Sequence, residues 1–183
     1  MNKIENRIGV FIAVTLLFFP AILCGQEKLL DSLYIHVYNK TYKLTSFEDT
    51  INLEQNVLRS VCIQLQQDNT VIGRNYFVID RNCPLDGFVK IKKDVNGFII
   101  AYSFCDGYKF VFSKAQFVYD KHVGDFILYR YDETIIDRQY PEQEDKKREY
   151  VIPSKKAIRL AVFSPEEIRR NFSGTSRHWQ TER

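Results

Sequence analysis

The chain has 183 residues, 45% of them hydrophobic and 27% charged. That is apolar material enough for one packed domain, and it excludes a chain disordered throughout. Its 26 basic and 23 acidic residues leave a net charge of +3, well mixed along the sequence, which excludes the concentrated basic face of a nucleic-acid binder.

Residues 1–25 follow the plan of a secretory signal peptide. Lys3 and Arg7 give a positive start, residues 8–19 an apolar run, Pro20 a break and residues 21–25 a mostly small-residue end. The run is too short for a comfortable membrane span, so no transmembrane segment is expected after cleavage. Ordinary cleavage between Cys24 and Gln26 is the expectation. Ala21 and Cys24 also resemble a lipobox, which leaves a lipoprotein anchored at Cys24 as the alternative. Leu23 departs from that pattern, because the residue before the cysteine is normally small.

The mature region, 26–172, reads as a single β-rich domain. Fourteen Phe and 11 Tyr against one Met favour strands over helices. Residues 26–32 are polar and predict a helical lead-in or a loose arm. Residues 33–38 alternate, with Ile35 and Val37 on one face and Tyr34, His36 and Tyr38 on the other. A short strand near residues 42–44 follows. Residues 57–65 alternate again, with Val61, Ile63 and Leu65 opposite Ser60, Cys62 and Gln64. Residues 66–70 read as a turn, and residues 71–79 as a strand interrupted by Gly73. Pro84 and Gly87 make residues 81–87 a loop.

Residues 88–131 have the pattern of an antiparallel meander. Runs of aromatic and β-branched residues are separated by DVNG, CDGYK and KHVGD. Asn96-Gly97 predicts the clearest turn, since both residues tolerate positive φ. Val89 and Ile91 oppose Lys90 and Lys92. Phe98, Ile100, Tyr102 and Phe104 form the strongest stripe. Phe110, Phe112, Phe117, Tyr119, Phe126 and Leu128 continue it, and Ile135-Ile136 predicts one more strand. Residues 141–149 read as a charged, solvated connector, and residues 159–163 as a last strand. Ser164, Pro165 and Glu167 then start a short helix that ends near Asn171. Residues 173–183 read as a flexible tail. The expected fold is all-β or β-dominated α+β: an antiparallel meander forming a curved sheet or small sandwich, with one short C-terminal helix.

No catalytic, cofactor or metal motif is present. His36, His122 and His178 stand in no metal-spaced group. A nucleophile pair of histidine with Cys62 or Cys105 has no local signature. Asp132-Glu133 and Glu166-Glu167 are acidic pairs, the second explained by the helix start. Tyr108, Lys109, Tyr129, Arg130 and Tyr131 interleave aromatic and basic residues, as strand rims do when a ring is buried and a hydroxyl stays wet. Asn39 and Asn171 match the glycosylation pattern, which matters only in a eukaryote.

Signal cleavage leaves Cys62, Cys83 and Cys105, and three pairings are open. A hairpin closed at Asn96-Gly97 brings Cys105 opposite Phe88 in one register and Asp86 in another. Both place it where Cys83 enters, within disulfide reach. The expected bridge is therefore Cys83–Cys105, with Cys62 kept as a thiol that packs inside a strand.

Asn96-Gly97-Phe98 through Tyr102, Phe117-Val118-Tyr119, Phe126 through Arg130 and Asp137-Arg138 resemble the core pattern of a group of exported β-rich proteins of Bacteroidota and other Gram-negative bacteria. The resemblance covers residues 57–138. It implies export to the periplasm or beyond, and no established activity comes with it. The expectation is a non-catalytic binding module of the envelope with a protein partner and no cofactor, such as an inhibitor or immunity protein. The alternative is an enzyme of unfamiliar type with a cleft on the sheet.

Overall fold

The computed structural model describes residues 28–53, 56–78, 83, 87–153 and 155–172. The expected signal peptide with Cys24, most of the 81–87 loop, and the tail with His178 lie outside them. Strands β1 (Lys28–Val37), β2 (Lys40–Leu53), β3 (Asn56–Gln67) and β4 (Thr70–Val78) form a four-stranded antiparallel sheet. Strands β5 (Gly87–Asp94), β6 (Gly97–Asp106), β7 (Lys109–Asp120), β8 (Asp125–Asp137) and β9 (Lys146–Val151) form a five-stranded one. A 3-10 turn (Leu160–Val162) and helix α1 (Pro165–Asn171) follow. The expected all-β fold with one short C-terminal helix is what forms.

Alternation decides which face of each sheet is buried. In the first sheet, Ile35 pairs with Tyr42 and Leu44 with Leu65, and all four side chains are buried. In the second, Phe98 pairs with Phe117 and Ile100 with Ala115, again all buried. The two inner faces meet through rings. Tyr42 of β2 packs edge-on against Phe126 of β8 at 4.9 Å, and Phe126 lies 5.2 Å from Phe98. Burying one such side chain stabilises by about 1.5–3 kcal/mol.

The sheets are tied at both margins. At one, the Asp31 carboxylate accepts from the Ile91 backbone N–H at 3.2 Å. At the other, Asn75 of β4 donates from Nδ2 to the carbonyls of Leu160 and Phe163, at 2.6 and 2.7 Å. The C-terminal segment therefore spans from β4 to β8, where Leu128 N donates to Ile158 O at 2.7 Å. Phe163 fills the gap with rings of Phe117 and Tyr131 at 5.6 and 5.8 Å.

Several local expectations are corrected. Residues 28–32 belong to β1, because backbone pairing with β2 holds them although none of their side chains is buried. The strand near residues 42–44 is the 14-residue β2. Ile135-Ile136 belong to β8, a continuous strand from Asp125 to Asp137. The charged stretch ends in β9, an edge strand whose Lys and Arg side chains stay in water. Residues 159–163 make a 3-10 turn, since Asn75 takes carbonyls that a strand would give to a neighbour.

The β5–β6 turn consists of Val95 and Asn96, with Asp94 paired to Gly97. Neither turn residue has positive φ; Asp68 and Asn69 do, at 49° and 65°. Gly97 is needed for a different reason. A Cβ there would overlap the Phe117 carbonyl, whose carbon would be 2.9 Å away. A bulge between Phe88 and Lys90 then shifts the pairing, so neither expected register for Cys105 holds to the strand end.

Candidate functional site

Two places collect polar chemistry. The first lies inside one end of the sandwich. Ser164 caps α1, its Oγ accepting from Glu167 N at 3.4 Å, and this aims Arg169 of the next turn at β8. Arg169 Nε donates to Glu133 Oε1 at 2.6 Å. Tyr131 OH donates to the same oxygen at 2.8 Å, and Tyr102 OH donates to Tyr131 OH at 3.1 Å. The Arg169 guanidinium also stacks over Phe104 at 4.6 Å and reaches Asp106 at 3.6 Å.

The Glu133 side chain is 1% exposed and Arg169 22%. Burial pushes both tyrosine hydroxyls up from their ordinary pKa, and Tyr131 is raised further by Tyr102 and Glu133. Both phenols are therefore protonated donors. For Arg169, burial pulls the pKa down, but the Glu133 hydrogen bond and charge outweigh it and the group stays cationic. The chain Tyr102–Tyr131–Glu133–Arg169 is a tie that fastens α1 to the five-stranded sheet. Glu133 Oε2 and Arg169 Nη2 are buried without partners among the described residues.

Beside this tie is a cleft of about 460 Å3 with Ile63, Phe77, Ile100 and Phe104 as walls and Asp106, Glu166 and Arg169 at its edge. Cys83 and Cys105 stand there at disulfide distance, with sulfurs 2.11 Å and Cα atoms 5.7 Å apart. Cys62 is a buried thiol on β3.

The second place is the outer face of the five-stranded sheet, a groove of about 700 Å3. Its floor is apolar: Ile99 and Ala101 from β6, Phe112 from β7 and Ile136 from β8. Phe112 is 38% exposed. Lys90 and Lys92 on β5, Lys114 on β7 and Lys147 on β9 line it with exposed ammonium groups. Arg130 holds Asp132 at 2.8 Å and Glu149 at 3.5 Å. The Asp132 hydrogen bond raises the Arg130 pKa, against a smaller effect of burial. Two of the groove's carboxylates are thus neutralised inside it, whereas those four lysines have no ion pair among the described residues.

The histidines are not brought together. His36 is on β1 with Nδ1 3.0 Å from Thr41 Oγ1. His122 is in the β7–β8 turn, where its backbone N–H and that of Val123 donate to Asp120 Oδ1 at 2.7 and 3.1 Å. Those two bonds hold the Asp120 carboxyl below its ordinary pKa of 3.8. Among the described residues, no group of three or more His, Cys, Asp or Glu could hold a metal ion. Nor is any helix among them long and apolar enough to cross a membrane.

Sequence reasoning missed both places. Glu133 and Arg169 lie 36 residues apart, and no local pattern links them. The alternation of Lys90 and Lys92, Arg130 among the interleaved aromatic and basic residues, and the pair Asp132-Glu133 were visible signs of the groove, but nothing local joined them into one site. Compared with known protein families, with curated proteins and with solved structures, the chain matches none.

Proposed function

We propose that the protein is an exported module of the bacterial envelope that acts by holding a partner on the outer face of its five-stranded sheet. The observation that carries this reading is the contrast between the two polar places. The buried Glu133 takes Tyr131 and Arg169 on one oxygen and has the other shut away from solvent, while the outer groove keeps an apolar floor and exposed lysines open to solvent. Export is supported by the pattern of residues 1–25, by the resemblance to exported proteins, and by a cysteine pair at disulfide distance, which suits an oxidising compartment. An inhibitor or immunity protein fits this reading, as does an accessory envelope protein.

The experiment is photo-crosslinking in the native host with a photoreactive residue at Phe112, together with the mass of the recovered chain. A discrete adduct on a chain processed between Cys24 and Gln26 is expected. A full-length, soluble chain that gives no adduct would refute the reading.

The second reading, an enzyme working in the cleft, draws on Asp106 and Glu166 at its edge. Asp106 is 63% exposed and faces Arg169. It therefore stands in water at the cleft edge, where solvent competes for any group it would contact.

A further inference from the structure

Resting on that proposed function, we infer that the groove takes an extended segment of a partner protein in which acidic and apolar residues alternate. The charge argument comes first. Arg130 already serves Asp132 and Glu149, and Glu133 is paired with Arg169. Asp145 is then the remaining lining carboxylate against Arg148, Lys90, Lys92, Lys114 and Lys147, which leaves the groove with an excess of positive charge. They lie on both flanks and in the middle, from β5 through β7 to β9. Adjacent strands are about 4.8 Å apart, so Lys90 and Lys147 stand on strands roughly 19 Å apart across the sheet. An extended chain fits between them with room for its side chains.

The floor decides the rest. Ile99, Ala101, Phe112 and Ile136 give an apolar strip beside the lysines. An extended peptide points successive side chains to opposite sides. Apolar residues of one set can cover the strip while acidic residues at the margins reach the ammonium groups. A carbohydrate polyanion satisfies the lysines but leaves the strip uncovered, since of the two rings among the described lining residues Tyr102 is buried and Phe112 is the one exposed for a sugar to stack on. A membrane surface is flat and would not enter a groove of about 700 Å3. Association governed by such charges is steered and salt-sensitive.

The test uses the mature, oxidised protein and a labelled synthetic peptide of alternating glutamate and valine. Saturable binding that weakens with added salt is expected, with chemical-shift changes at Ile99 and Phe112. The variant K90E/K114E/K147E should bind at least about tenfold more weakly at an unchanged melting temperature, because these side chains are exposed. Equal binding by that variant would overturn the inference. So would failure of the peptide, whether or not alginate oligosaccharides or phosphatidylglycerol vesicles bind in its place. If the Phe112 adduct in the native host survives the triple reversal, the acidic chemistry is wrong and the partner-binding function stands. If no adduct forms even in the unreversed chain, that function fails.

Discussion

Arg169→Met should test whether the Glu133–Arg169 pair is what fastens α1 to the five-stranded sheet. The substitution keeps an apolar stem near Phe104 and removes the guanidinium that donates to Glu133 at 2.6 Å. Glu133, with its side chain 1% exposed, is left with Tyr131 as its hydrogen-bond donor. Breaking a buried ion pair by removing one partner costs about 3–5 kcal/mol. Arg169 is 22% exposed, so the lower end applies, about 3 kcal/mol, or a melting temperature lower by about 6–12 °C for a domain of this size. Glu133→Gln should cost less, about 1–2 kcal/mol, because Arg169 can turn to Asp106 and water. The double variant should then be less destabilised than the sum of the two by about 1–2 kcal/mol. Urea unfolding followed by circular dichroism measures all three. Additivity within about 0.5 kcal/mol, or an Arg169→Met cost near zero, would show that the tie does not hold α1.

Three further outcomes follow from the geometry. Gly97→Ala should destabilise by more than about 2 kcal/mol, because its Cβ would overlap the Phe117 carbonyl; an unchanged urea midpoint would contradict that close approach. Peptide mapping without reduction should recover Cys83 joined to Cys105, and reduction should lower stability by roughly 3 kcal/mol on loop-closure entropy; Cys62 in a cross-linked peptide would mean another pairing. Asp120→Ala should weaken the fold at neutral pH. The native carboxyl lies below its ordinary pKa of 3.8, so its contribution is whole above that value and is lost as pH falls through the native one. The gap between wild type and variant should close over that range, and a gap constant with pH would contradict the role of the two backbone donors.

The strand faces were legible because period-two alternation is local. Phe98, Ile100, Tyr102 and Phe104 were expected to share a face; the first three are buried and Phe104 is partly buried against them, whereas Phe112, expected to continue the stripe, lies on the outer face. Strand β9 was not legible, because an edge strand needs one partner and little apolar surface, and its KKRE stretch reads as a solvated loop. Asp132 and Glu133 show the limit most clearly. They are neighbours in sequence, yet the pleat sends Asp132 to the outer groove with Arg130 and Glu133 inward to Arg169. Only register assigns the two carboxylates to different chemistry. The groove has the same origin: Lys114 and Lys147 share its face because they pair with Asp132 and Thr134 of β8.

The central claim, that the outer face of the five-stranded sheet is where a partner sits, is tested most directly by comparing two photo-crosslinking positions in the native host. Phe112 lies in the groove, and Tyr34, 56% exposed, lies on the outer face of the other sheet. The account predicts a discrete adduct from Phe112 that fades when Lys90, Lys114 and Lys147 are reversed, and none from Tyr34. An adduct from Tyr34 with none from Phe112 would contradict it.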